Sequence, residues 1–362
     1  MPTDFHQAAF AAGTLNKLDI LELYTSEWLP VFLAQAAPRY NEVHLFDFFS
    51  GPGRDGEGNP GSPLRTLKML KIASKQRFPG WGKVAITAHF LDIDGKATRT
   101  LRDVIAKDKW EVDGVAIDIE TIAFADALIK YAPVLTSPSA AKLLVIDQFG
   151  VGEVTDEVFR ALIGFPTSDF LFFISSSTLH RFRDHPAIKL KIKRPDDHYQ
   201  VHRAVVEYFK GLVPPTATYH LGQFAIKKGP NIYGLIFGSK HVLGIDKFLQ
   251  VAWRKDALNG EADYDVNRDN IDPGELLLPI DGFKPSKESE FERELEARLE
   301  KGECLDESHV IKTCIEHGMR RSHAGPVLKR LKDRGIIELN FRVPDIKRFK
   351  TPRPIRPLRL PA

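Results

Sequence analysis

Apolar residues at Leu18, Leu21, Trp28 and Phe32 are spaced by three, seven and four, drawing one stripe along a helix over Leu15–Ala36. Beyond it the pattern changes to short, nearly unbroken apolar runs: Val43–Phe49, Val84–Leu91, Val115–Ile119, Leu143–Ile146 and Asp169–Ile174. Helical spacing separates the first of these, over Pro63–Ser74 (with Ser62 as the expected cap), Lys96–Ala106 and Ala123–Tyr131. Continuous apolar strands alternating with helices predict a parallel sheet covered on both faces. Tyr219–Ile226 and Asn231–Phe237, joined through Lys228, Gly229 and Pro230, predict an antiparallel hairpin that completes the sheet. The expected fold class is therefore α/β: a Rossmann-like, mostly parallel sheet with a C-terminal antiparallel hairpin.

The last part of the chain reads as a separate, small α/β unit of the winged-helix kind. Its helices fall at Glu290–Glu300, Ser308–His317 and from Ser322 to about Arg334, followed by Gly335 and a strand over Ile336–Leu339. The expected organisation is a Rossmann-like domain over 1–255 whose first 40 residues form a helical part. An acidic linker (256–289), a winged helix (290–343) and a basic tail (344–362) follow.

At 362 residues, 43% hydrophobic and 27% charged, the chain has the composition of a globular protein with more than one domain. Cys304 and Cys314 are too few for a disulfide framework, and the start MPTDFHQAAF has no secretory pattern. No apolar run approaches the roughly 20 residues of a membrane span. A reducing cytoplasm is the expected location. The net charge is +3, but acids crowd 261–275 and bases crowd the chain from Arg320 onward. This asymmetry predicts an acidic partner for the C-terminal part, nucleic acid first.

The chemistry-bearing candidates gather at strand ends. The first strand runs into VHLFDFFSGPGRDGEGNPG, in which Asp47, Phe49, Gly51 and Gly53 form D-x-F-x-G-x-G. Residues lacking Cβ let backbone approach a bound nucleoside closely. This spacing is what S-adenosylmethionine (SAM) methyltransferases place after their first strand; Gly56 also stands at the third position of G-x-G-x-x-G, but it follows Arg54 and Asp55 and opens no obvious helix, as a dinucleotide site requires. Asp92 ends the second strand and Asp147 the fourth, so acids converge on the carboxyl edge, where ligands bind in such sheets. Asp92 is suited to accept from ribose hydroxyls, with Asp94 as competitor or as a helix cap. Asp147, Gln148 and Phe149 stand where a base-modifying methyltransferase orients its acceptor, an acid and an aromatic ring being the parts required.

The chain resembles a three-Cys-motif partner protein. The matching pieces are KLDIL at Lys17–Leu21 with Tyr24, DFFSGPG with GSPL at Gly61–Leu64, FLDID at Phe90–Asp94 and VIDQFG at Val145–Gly150. Arg181 and YGLIFGSKHVLGIDKF before Trp253 continue the match. The resemblance implies a class I methyltransferase-like Rossmann domain, SAM as cofactor with Phe124 beside it, and a radical-SAM-like three-Cys protein as partner. Gln148 replaces a proline of the pattern, and Ala123 replaces an acid.

Two functions follow from these residues: a SAM-dependent methyltransferase acting on a nucleic-acid base, or a non-catalytic, nucleic-acid-binding partner of another enzyme. Arg320, Arg321, Lys329 and Arg330, at the start and along the third C-terminal helix, are the expected nucleic-acid contacts. Other chemistries find no support. The calcium-like run from Asp263 to Asp269 has Arg268 where glycine is needed, and His180, His185, His198 and His202 lack cysteine or paired-acid ligands, so no metal is expected. Ser175–Ser177 lacks the glycines of a nucleophile elbow.

Overall fold

The computed structural model describes residues 9–147, 155–175, 201–228, 231–267 and 286–358. Gln148, Phe149, Gly150, Arg181, Ser176, Ser177, Arg268 and the histidines 180, 185 and 198 lie outside the described residues. The chain divides into two compact units, residues 1–244 and 245–362.

The first unit opens with α1 (Ala12–Leu33), whose predicted stripe is buried at Leu18, Leu21 and Trp28, while Phe32 is half-buried against the Trp28 ring. Then β1 (Glu42–Asp47), α2 (Ser62–Lys75), β2 (Ala85–Asp92), α3 (Gly95–Lys107) and β3 (Val115–Thr121) alternate. They are followed by α4 (Phe124–Lys130), α5 (Ala132–Leu135), β4 (Ala140–Ile146), α6 (Asp156–Gly164), β5 (Ser168–Ser175) and α7 (Val201–Leu212). The hairpin strands are β6 (His220–Lys228) and β7 (Asn231–Ser239). The seven strands lie in the order β3-β2-β1-β4-β5-β7-β6, with β7 antiparallel to both neighbours and the remaining pairs parallel. This is the Rossmann-like sheet with a terminal antiparallel hairpin that the hydrophobic pattern predicts, in the class I methyltransferase arrangement that the resemblance implies.

Phenylalanine fills the interior. Phe46, Phe48, Phe159, Phe170 and Phe172 belong to one buried cluster with Leu144, Ile146 and Phe209. Each buried aromatic side chain contributes roughly 2–3 kcal/mol by leaving water. α1 is fastened to the sheet by a polar contact as well: buried Tyr24 donates to Asp169 Oδ2 over 2.7 Å. Removing that hydroxyl deprives a buried carboxylate of one of its donors. At α2 the expected cap moves by one residue. Gly61 occupies the cap position and Ser62 is the first helical residue, with no side-chain cap hydrogen bond.

The second unit contains α8 (Val242–Lys255, beginning at the unit boundary), α9 (Ser286–Glu300), α10 (Glu307–Glu316) and α11 (Ala324–Asp333). An antiparallel ribbon, β8 (Ile337–Glu338) with β9 (Arg356–Pro357), completes it. Its core is Trp253, Phe291, Leu295, Val310, Cys314, Val327, Leu331 and Ile355. Ser322 does not cap the third helix: a 3-10 turn, Arg321–His323, precedes α11 and places His323 at the cap. The segment read as an acidic linker begins folded. Buried Asp256 accepts from the backbone N–H groups of Leu258, Asn259, Glu261 and Ala262, and Glu261 pairs with Lys287. Residues read as tail are likewise integrated, since Arg356 and Pro357 form β9.

Candidate cofactor site at the sheet edge

In the first unit the chain passes from β1 to β2 on one side and returns to β4 on the other, so strand order reverses between β1 and β4. Open α/β sheets bind ligands at the carboxyl end of that reversal. Asp47 closes β1 opposite Val145 of β4, and Asp147 follows β4 directly. The sequence therefore places two of its three strand-end acids at the switch point, with Asp92 one strand away.

Asp47 is the most perturbed group there. It is 3% exposed, its Oδ1 accepts from Phe49 N–H at 3.2 Å, and its Oδ2 has no hydrogen-bond partner among the described residues. Burial pushes its carboxyl up to about 7; Ser62 and the Phe49 N–H oppose the rise, and the nearby Asp147 and Asp92 add to it. A buried, partly unsatisfied carboxylate is costly without a ligand and favourable beside a cation. Ser50, also buried, has a hydroxyl without a partner among the described residues. The amino-acid end of SAM carries an ammonium group, and an orphaned acid is what such a group requires.

The glycine turn leaves β1 immediately above this acid. Gly51 and Gly53 have φ of 60° and 86°, in the left-handed region that side chains resist. A Cβ on Gly53 would stand 2.6 Å from Leu101 Cδ1, so a side chain there would also have to displace the Leu101 tip on α3. Asp55 organises the rest of the loop: its carboxylate accepts from the N–H groups of Phe10, Glu57 and Asn59 and from the Asn59 amide. The string D-G-E-G-N carries the turn chemistry for this, an aspartate bonding backbone two and four residues on, although only the glycines draw attention at first reading.

Asp92 has two roles to reconcile. Its Oδ2 accepts from Gly51 N–H at 2.8 Å and its Oδ1 from Asp94 N–H at 2.9 Å, so it ties the glycine turn to the end of β2. Each carboxylate oxygen retains a second lone pair, which leaves ribose contact open to it. Asp94 caps α3 through Lys96 N–H, the structural role offered for it. Between the two acids Ile93 is 74% exposed, an apolar side chain at the ligand edge that strand periodicity alone does not single out. Phe49 and Phe124 come together, their ring centroids 5.5 Å apart, but Phe124 is buried and packs edge-on against Phe48 at 5.1 Å.

Asp147 is not free. Lys17 of α1 forms an ion pair with its Oδ2, and the same ammonium lies 5.0 Å from the Phe173 ring centroid. Lys17 belongs to the KLDIL segment of the resemblance, but nothing in its helical spacing assigns it to the sheet edge.

In the second unit the expected nucleic-acid residues divide. Arg321 is taken up by Asp246, 5% exposed, through Nε at 2.6 Å and Nη2 at 3.1 Å, and also donates to Pro344 O. Arg330 pairs with Glu296 at 2.7 Å and lies 3.6 Å from Glu292. Arg320 lies over Trp253, 5.4 Å from the ring, and burial lowers its basicity. Lys329 is exposed, with no carboxylate within pairing distance among the described residues. Of these four side chains, α9 carboxylates engage Arg330 and Asp246 of α8 engages Arg321.

No protein-family model matches the chain, and no curated protein matches it. Solved structures do resemble it. A putative rRNA methylase from Clostridium thermocellum aligns over 64% of this chain and 98% of its own, at 12% identity and a TM-score of 0.31. The precorrin-6y C5,15-methyltransferase of Geobacter metallireducens aligns over 64% and 93%, at 12% identity and 0.33. The O-methyltransferase TomG of Streptomyces achromogenes, solved in complex with SAM, aligns over 64% and 80%, at 11% identity and 0.34. The fold class stands on the strand order itself. Among the described residues no group of three His, Cys, Asp or Glu side chains is placed to hold a metal ion, and no helix is long and apolar enough to cross a membrane.

Proposed function

We propose that the first unit binds SAM at the β1–β4 switch point and that the protein is a SAM-dependent methyltransferase acting on a nucleic-acid base. The observation that carries the cofactor assignment is the buried Asp47 carboxylate, without a partner at Oδ2 among the described residues, beside a turn in which Gly51 and Gly53 both hold positive φ. In this reading Asp47 holds the ammonium of the amino-acid end, Asp92 the ribose, and Ile93 and Phe49 lie along the base. Bound SAM supplies an electrophilic methyl group. Transfer from a sulfonium depends mainly on alignment, so the protein needs to orient an acceptor more than to deprotonate it. Asp147, with Gln148 and Phe149, is assigned that orienting role, and the second unit, read as a winged helix, the contact with nucleic acid.

The Lys17–Asp147 ion pair favours a second reading. An acid already paired with an ammonium is less available to an exocyclic amine, which suits a nucleic-acid-binding partner of a radical-SAM-like three-Cys protein. Calorimetric titration with SAM, followed by transfer assays with labelled methyl on DNA, tRNA and rRNA, separates the cases. Binding abolished by Asp47→Asn, with label reaching a nucleic acid, supports the methyltransferase. Binding without transfer to any of them points to a protein or small-molecule acceptor, and the absence of SAM binding removes the methyltransferase reading and leaves the partner reading standing.

A further inference from the structure

Only part of the C-terminal positive charge is available to a ligand, and its location differs from the helix face. On α11, Arg330 and Arg334 are held by Glu292, Glu296 and Glu300 of α9. Arg298 is held by Glu294 and Glu316, and Arg321 by Asp246. The segment 342–350 behaves differently. Arg342, Lys347, Arg348 and Lys350 are all exposed, and no ion pair engages them among the described residues. Its one acid, Asp345, accepts from Lys347 N–H as the cap of a 3-10 turn over Ile346–Arg348.

The loop is held rigidly by one buried group. Glu307, fully buried, accepts from Asp345 N–H at 2.7 Å at the start of the turn and from Arg353 N–H at 3.0 Å beyond its end. The Arg353 guanidinium completes this clamp through Nε at 2.6 Å and Nη2 at 3.0 Å, and its face lies 4.5 Å from the Phe341 ring. Within the turn, Arg348 N–H bonds Asp345 O and Thr351 N–H bonds Arg348 O. Fixing Asp345 and Arg353 to one carboxylate displays Lys347, Arg348 and Lys350 between them, with Arg342 just ahead of the clamp, so less of the attraction to a ligand is spent on ordering the loop.

We infer that the clamped loop 342–350, rather than the face of α11, is the nucleic-acid-binding element of this protein, with Arg342, Lys347, Arg348 and Lys350 contacting backbone phosphates. The inference rests on the nucleic-acid part of the proposed function and is independent of the SAM assignment. Arginine forks and lysine point charges projecting from a fixed turn suit successive phosphates. Contacts of this kind position without reading sequence.

The test measures binding of the full chain to a labelled 20-base-pair DNA duplex and to an RNA hairpin by fluorescence anisotropy, at several salt concentrations. The variants are Lys347→Gln/Arg348→Gln/Lys350→Gln in the loop and Lys329→Gln on the helix. Circular dichroism melting checks that both remain folded. Loss of about tenfold or more in affinity for the loop variant, with its salt slope reduced by roughly 0.9 per phosphate contact on the duplex, and a smaller loss for the helix variant, is the expected result. An unchanged loop variant, or a larger loss from Lys329→Gln, overturns the loop assignment while leaving nucleic-acid binding intact. If the wild-type chain binds neither probe but binds phosphatidylserine vesicles or polyglutamate, the nucleic-acid reading falls, and the loop assignment with it.

Discussion

Asp47 concentrates the electrostatic consequences of the fold in one side chain. An acid whose folded-state pKa stands above its unfolded value of about 3.9 binds its proton more tightly when folded, so its contribution to stability is present at low pH and lost as pH rises. With the carboxyl pushed up to about 7, that loss falls between about pH 4 and pH 7, and buried Asp169, raised to about 6 by burial, adds a slope of the same sign. Asp47→Asn is therefore expected to flatten, without abolishing, the fall in apo-protein stability across this range, as measured by urea unfolding at stepped pH. SAM binding near pH 6 should release protons as its ammonium ionises Asp47. Calorimetry in buffers of different ionisation enthalpy reads this directly, and equal heats in all of them refute the assigned contact. Gly53→Ala tests the turn above the acid. Its φ of 86° and the 2.6 Å approach to Leu101 predict a destabilisation of about 1–2 kcal/mol, with weakened SAM affinity.

At the scale of elements, the strands and the glycine turn were legible because their signals are local. Unbroken apolar runs declare buried parallel strands, and Gly51 and Gly53 declare a turn whatever surrounds them. Long-range pairings were not legible. Nothing within helical spacing shows that Lys17 of α1 reaches Asp147 or that Asp92 fastens the glycine turn, and no local pattern tells that Glu292, Glu296 and Glu300 neutralise the bases of α11. The cap shifts at Gly61 and His323 are local by contrast: neither cap residue makes a side-chain cap bond, and a 3-10 turn intervenes before α11. Two outcomes follow for the second unit. Arg321→Glu sets a carboxylate against the nearly buried Asp246, so it is expected to destabilise that unit by roughly 3 kcal/mol in thermal unfolding before it affects any nucleic-acid contact. At Glu307, burial alone would raise the pKa, but Arg353 and the two backbone donors outweigh it and hold the carboxyl below its usual range. The stability it contributes is thus present at neutral pH and lost as pH falls below about 4, and Glu307→Gln should remove that acid-side dependence while loosening the 342–350 loop.

For the molecule as a whole, the decisive fact is that each unit closes a core from its own residues, Phe46 to Ile236 in one and Trp253 to Ile355 in the other. Two cores need not melt together, and a chain of this kind departs from a single two-state transition. The proposed ligands are also divided: the SAM residues lie within 1–244 and the phosphate-contacting loop within 245–362. A ligand that binds only the folded form of one unit stabilises that unit by about 2.7 kcal/mol at a hundredfold excess over its dissociation constant. For the larger unit, residues 1–244, that is a rise of about 5–10 °C, and for the smaller one more. Scanning calorimetry of the full chain should accordingly resolve two transitions, one raised by SAM and the other by a DNA duplex. Asp47→Asn should cancel the first response and spare the second, while Lys347→Gln/Arg348→Gln/Lys350→Gln does the reverse. A single transition moved by both ligands would mean that cofactor and nucleic acid are energetically coupled through one cooperative body, and the separate assignment of the two functions would fail.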